Sequence, residues 1–229
     1  MLQTRKEIAF MVMAGIFITS AIVAELISCK QVYMGPYLWP IIAGIVPWPV
    51  VFLLTDVMNE YFGKEAVRRL SWITTGLIAF CFLVVFVAVN LPTDKESWLS
   101  DAEFKKAFAG SLWIMIGSIT AFIVSQLLDV RLFHFFNKLT KGKMIWLRST
   151  GSTVISQLVD SFIVAIIGLW MSGTKTFDQM VFLAVMGYLT KLSIAVCLTP
   201  LVYLMHYLAK GILGEKPKIE ETSAELLDN

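Results

Sequence analysis

Six windows of this sequence, near residues 8–28, 37–57, 70–91, 108–130, 150–171 and 178–208, are apolar almost throughout. A helical residue rises 1.5 Å, and the hydrocarbon core of a bilayer is about 30 Å thick, so about 20 such residues make one crossing. Each window is long enough to cross, and the last is long enough to tilt or project. The predicted fold is therefore all-α: a polytopic integral membrane protein with a bundle of six transmembrane helices over residues 1–214 and a polar tail at 215–229. Composition agrees, since 57% of the 229 residues are hydrophobic and only 16% are charged, with a mean hydropathy of +0.74. That balance is far from a soluble globular domain, and the spans leave no room for one beside them.

The segments between the windows hold nearly all the charge, and the charge alternates. One side collects the N-terminus, the 58–69 and 131–148 loops and the tail, with 13 Lys and Arg; the other side holds 5, and Lys191 falls inside a span. The positive-inside rule then places both termini in the cytoplasm. Arg5 and Lys6 precede an apolar stretch that is long for a signal peptide, so it is read as the first span. A net charge of +2 without a basic stripe gives no support to a nucleic-acid partner. Cys29, Cys81 and Cys197 lack any CxxC or Cys/His spacing, so neither a disulfide framework nor a metal site is predicted, and no cofactor motif is present. In the longest outer loop, Ser100 and Glu103 have the spacing of a capping box that would open a short interfacial helix.

Ionisable side chains inside a bilayer cost several kcal/mol unless they face the bundle interior, pair, or meet water. Glu25, Asp56, Glu60, Asp129, Asp160 and Lys191 are therefore the functional candidates. Asp160 lies about 10 residues, roughly 15 Å, from the start of its span, and Lys191 is comparably deep in its own. Both fall near the midplane, where an unpaired charge is costly, so the two are expected to face one interior space and neutralise each other when it is empty. The plainer reading is an ion pair that only fixes helix registry. Asp56, Glu60 and Asp129 lie nearer the headgroups, where coupling, gating or an interfacial role are all open.

Ser125-Gln126-Leu127-Leu128-Asp129 and Ser156-Gln157-Leu158-Val159-Asp160 share the pattern Ser-Gln-Leu-x-Asp. At i and i+3 the amide and the carboxylate share a helix face, which makes a polar clamp for a ligand or a glue between helices. In the second window Pro40, Pro47 and Pro49 are expected to break the helix and free the carbonyls of Ala43 and Ile45. Irregular backbone at membrane depth survives where it lines a cavity or is buried in protein. Trp48, between two prolines, is then placed either to stack on a flat ligand or to pack against neighbouring helices. Together these features point to passage of a small polar molecule.

The run Pro49-Val50-Val51-Phe52-Leu53-Leu54-Thr55-Asp56-Val57-Met58-Asn59-Glu60-Tyr61-Phe62-Gly63-Lys64, with Arg68-Arg69, Ala121-Phe122, the two Ser-Gln-Leu-x-Asp segments, and Trp146-Leu147-Arg148 followed by Ser152-Thr153, resembles the queuosine precursor transporters, a branch of the vitamin uptake transporters. Members often carry Asn in the first span followed by a Lys; this chain carries Glu25 and Lys30. The resemblance implies a six-span bundle in a bacterial inner membrane that imports 7-cyano-7-deazaguanine or 7-aminomethyl-7-deazaguanine.

The chemistry of the residues is compatible with a purine-like ligand. Adjacent N–H donors on a guanine-like edge suit the Asp160 carboxylate, Gln126 and Gln157 each offer a donor and an acceptor, Lys191 suits a carbonyl oxygen, and Trp48 a ring face. Glu25 is a further candidate at the same site. The closest rival is a substrate-binding membrane subunit of an energy-coupling-factor vitamin importer, distinguished by its need for an ATPase partner; no GxxxxGK[ST] stretch is present. An enzyme is not predicted, because HExxH and GxSxG are absent and His134 and His206 fall near membrane edges. Association of copies is left open, since lipid-facing and copy-facing apolar surfaces look alike in sequence.

Overall fold

The computed structural model describes residues 5–33, 40–139 and 145–213. Through them run six α-helices: α1 (Arg5–Ile27), α2 (Trp48–Phe62), α3 (Lys64–Asn90), α4 (Asp101–Leu139), α5 (Ile145–Ala165) and α6 (Phe177–Leu213). Five helical segments are long and apolar enough to cross a membrane, namely Arg5–Ile27, Glu65–Asn90, Asp101–Leu128, Val154–Met171 and Phe177–Leu198. On α3, Phe80, Leu83, Val84, Phe86 and Val87 are each half exposed or more, a continuous apolar surface that suits lipid and not water. The protein is thus an all-α membrane protein. The predicted tail at 215–229, together with Lys141 and Lys143, lies outside the described residues.

The second apolar window departs from expectation. Instead of one helix over 37–57, β1 (Gln31–Tyr33) pairs antiparallel with β2 (Pro40–Ile42), with Val32 opposite Ile41. A 3-10 turn at Ala43–Ile45 follows, and α2 starts only at Trp48. With 15 residues, α2 spans about 22 Å, short of a full crossing. The prolines explain where it starts. Pro40 opens a strand, Pro47 is the residue before the helix, and Pro49 sits in its first turn, where a missing N–H breaks no helical bond. The expectation of a freed Ala43 carbonyl is corrected: it accepts the Val46 N–H at 3.0 Å within the 3-10 turn.

Gly63, at φ 86°, is the whole joint between α2 and α3, a left-handed conformation that favours glycine. The predicted capping box is present, with Ser100 Oγ donating to Glu103 Oε2 at 2.7 Å and the Glu103 N–H donating to Ser100 Oγ at 3.4 Å. It opens no separate interfacial helix, however; the segment runs straight into the 39 residues of α4. After α5 the chain continues without a loop into a π-helical turn at Ile166–Met171.

Helix α1 packs antiparallel to α2 and to α4. Phe10 meets Phe62 across α1 and α2, and Ser111 Oγ donates to the Leu26 carbonyl at 2.7 Å across α4 and α1. Gly117 lies against the Val164 backbone, and Gly168 against Ile114, where α4 crosses α5 and the π turn. Two apolar clusters result. Phe17, Val51, Leu54, Met58, Val67 and Leu70 join α1, α2 and α3. Ile114, Ala165, Leu169, Met180, Leu183 and Ala184 join α4, α5 with its π turn, and α6. The first runs along α2 from Val51 to Met58 and takes in the first turns of α3 after Gly63, whereas the second joins the start of α6 to the end of α5.

Candidate functional site

A cavity of about 370 Å³ lies between the clusters and is lined from all six helices. Each helix contributes residues spaced to share one face. On α1 these are Phe17, Ala21, Ala24 and Glu25, with Ser28 just past its end; on α2, Trp48, Val51, Phe52 and Thr55; on α4, Ile114, Ser118, Phe122 and Gln126. From α5 come Gln157, Asp160, Ser161 and Val164, and from α6 Gly187 and Lys191. All six residues predicted to bind substrate, namely Asp160, Gln157, Gln126, Lys191, Glu25 and Trp48, line this one space.

The charged centre is compact. Lys191 Nζ donates to Asp160 Oδ2 at 3.2 Å, with both side chains less than a fifth exposed. The same ammonium sits 5.0 Å from the centroid of the Trp48 ring, within cation–π range. Trp48 in turn packs on Phe52, with centroids 5.4 Å apart. The break before α2 puts Trp48 at the very start of that helix, so one of its flat faces meets the ion pair. Glu25 Oε2 accepts a hydrogen bond from Ser118 Oγ at 2.9 Å. Among the described residues no side chain hydrogen-bonds the amide group of Gln126 or Gln157, so both amides offer a donor and an acceptor to the cavity. On α3 the hydroxyls of Ser71, Thr74 and Thr75 donate back to carbonyls four residues earlier, which leaves their oxygens as acceptors.

Asp56 and Glu60 are not brought to this space. Asp56 is exposed and Glu60 half-buried, and neither lines the cavity. The reason is helical phase: Trp48, Val51, Phe52 and Thr55 fix the inward face of α2, and Asp56 lies 100° round from Thr55. The side chain of Asp129 lies outside the described residues. Ser118 and Thr55 were not predicted. Their signal is spacing alone, since Ser118 lies four and eight residues before Phe122 and Gln126, and Thr55 lies seven after Trp48.

A second, smaller space of about 230 Å³ adjoins the first and shares Ser28, Ile42, Ile114 and Leu169 with it. The backbone here is crowded. A Cβ on Gly44 would fall 2.0 Å from Ser28 Oγ and 2.6 Å from the Ala24 carbonyl oxygen, so only glycine lets the 3-10 turn touch the end of α1.

An apolar helical bundle with paired charges, free amides and aromatic faces turned inward defines a multi-pass membrane protein that can hold a polar solute out of contact with lipid. The family model described as "Putative vitamin uptake transporter" matches residues 42–205, and the chain belongs to that vitamin uptake transporter family. Its curated relatives include a "Probable queuosine precursor transporter" of Bacillus subtilis (strain 168), 29% identical over 70% of this chain and 69% of the relative. A second protein of that name, from Haemophilus influenzae (strain ATCC 51907 / DSM 11121 / KW20 / Rd), is 26% identical over 68% of this chain and 63% of its own length. The "Queuosine precursor transporter" of Escherichia coli (strain K12) is 27% identical over 56% of this chain and 55% of its own. This chain therefore spans less than two thirds of the latter two. No solved structure matches it.

Proposed function

We propose that this transporter imports a queuosine precursor, 7-cyano-7-deazaguanine or 7-aminomethyl-7-deazaguanine, into the cytoplasm across a bacterial inner membrane, with both its termini on the cytoplasmic side. The names of its relatives support this substrate class. The observation that carries the reading is the Asp160–Lys191 pair set beneath the Trp48 ring in a cavity with two free amides.

A deazaguanine presents two adjacent N–H donors beside a carbonyl acceptor. Its donors fit the Asp160 carboxylate, which accepts at two oxygens, and its carbonyl fits the Lys191 ammonium. Ligand entry would thus replace one compensated arrangement by another, with neither charge left alone in a low-dielectric interior. Gln126 and Gln157 take the remaining mixed edge, and Trp48 and Phe52 offer faces to the ring. Asp56, Glu60 and Asp129, all towards the Gly63 end of the bundle, are assigned to coupling or gating.

The test uses bacterial cells that neither make nor import the precursors. Fed either precursor, cells producing this chain should regain queuosine in transfer RNA, and cells producing Asp160→Asn should lose at least about tenfold of that gain, the weight of one charge-assisted hydrogen bond. No gain with the wild type, when the protein is folded in the membrane, would overturn the reading.

A further inference from the structure

The charges lining the cavity do not balance. Among the described residues it presents two carboxylates, Glu25 and Asp160, and one ammonium, Lys191. Lys191 attracts both, but its hydrogen bond goes to Asp160 and its ammonium lies over the Trp48 ring. Among the described residues the hydrogen-bond donor to Glu25 is the Ser118 hydroxyl, which brings no charge. A carboxylate has room for several more donors. In a membrane interior a carboxylate without a cation is costly, so Glu25 ionises at least cost beside a ligand that carries positive charge.

The two candidate precursors differ in this respect. They share the guanine-like edge and diverge at the substituent on the five-membered ring, on the opposite side of the molecule. A primary aminomethyl group is protonated at neutral pH, like a lysine side chain, and brings three N–H donors. A nitrile is neutral and only accepts, so beside a carboxylate it sets two acceptors against each other and leaves the anion uncompensated. Because Asp160 and Glu25 stand on different helices that line the same space, one carboxylate can serve the guanine-like edge while the other serves the substituent.

We infer that Glu25, oriented by Ser118, is the counter-ion for a ligand ammonium and makes this carrier selective for the aminomethyl precursor over the cyano precursor. The inference rests on the proposed import of deazaguanines and adds to it a charge preference and the residue that sets it.

The experiment measures initial uptake of each precursor, by mass spectrometry of washed cells, in bacteria that cannot make, import or interconvert them and that produce the wild type, Glu25→Gln or Glu25→Asp at matched membrane levels. In the wild type the aminomethyl compound should half-saturate uptake at a concentration lower by about tenfold or more, the usual weight of a charge-assisted over a neutral hydrogen bond. Glu25→Gln should bring that ratio to within about threefold of one, and Glu25→Asp should keep most of it. Equal handling of the two compounds by the wild type, or preference for the nitrile, overturns the inference and leaves deazaguanine import standing. An unchanged ratio in Glu25→Gln also overturns it. Uptake of neither compound by the wild type defeats the import reading itself. The wild-type ratio requires no substitution, so a variant that fails to accumulate does not shelter the inference.

Discussion

Lys191 answers a carboxylate, an aromatic face and an open cavity with one ammonium, and its removal should be felt first as instability. Without it, Asp160 is an uncompensated charge in a low-dielectric interior, a loss of roughly 3–5 kcal/mol for pairs of this kind. Lys191→Met should therefore lower the thermal unfolding temperature of the detergent-purified protein more than Lys191→Met combined with Asp160→Leu, where the Asp160 charge no longer needs a partner. If the single and double variants unfold at the same temperature, the pair contributes no electrostatic coupling. The pairing itself was legible in sequence, because depth along a span is set by helical rise and two opposite charges at one depth have strong reason to meet. Asp56, conspicuous by charge, lies outside the cavity because a 100° turn per residue places it off the face that Trp48, Phe52 and Thr55 define. Ser118 was legible only as a spacing. A serine in an apolar run is commonplace, and only a partner 93 residues away gives this one meaning.

Among the elements, α1, α3 and α6 follow from continuous hydrophobicity, and the capping box at Ser100 correctly marked where α4 opens. The second window misled because length and hydropathy do not distinguish a helix from a strand and turn of the same composition. Three prolines did signal a break, yet the distance the chain would run before resuming a helix depends on contacts remote in sequence. Gly44 is the clearest of these. Gly44→Ala should destabilise the protein by about 1–3 kcal/mol, and adding Ser28→Ala should recover only part of this, because the Ala24 carbonyl remains in the way. Gly168→Ala should be milder, since its nearest obstacle is the flexible end of the Ile114 side chain. Thermal unfolding in detergent orders the three variants, and equal losses would show that backbone crowding at Gly44 is not decisive. The π turn had no sequence signal of its own. It persists because the carbonyl of Leu169 accepts from the N–H groups of Thr174 and Lys175 and from the Thr174 hydroxyl.

For the whole molecule, the arrangement is that of a soluble protein reversed: apolar side chains outward, and the polar inventory gathered in the middle between two apolar clusters. The sequence displayed the outer half of that arrangement in its composition and hid the inner half, which requires knowing which helices adjoin. The cavity is walled by all six helices of this chain. Purified protein in liposomes should accumulate deazaguanine without any ATPase present; uptake only after an ATPase module is added would instead place the chain among energy-coupling-factor subunits. The shared wall of the two cavities bears on how such a carrier would open. Ser28, Ile42, Ile114 and Leu169 face both spaces, so the barrier there is a single layer of side chains. Rotamer changes take picoseconds to nanoseconds for exposed side chains and longer for buried ones such as Ile114 and Leu169, whereas sliding helices takes microseconds or longer. A solute at this wall would wait on the fast clock of a few isoleucine and leucine torsions, with the slow clock of the bundle left to govern only the opposite end.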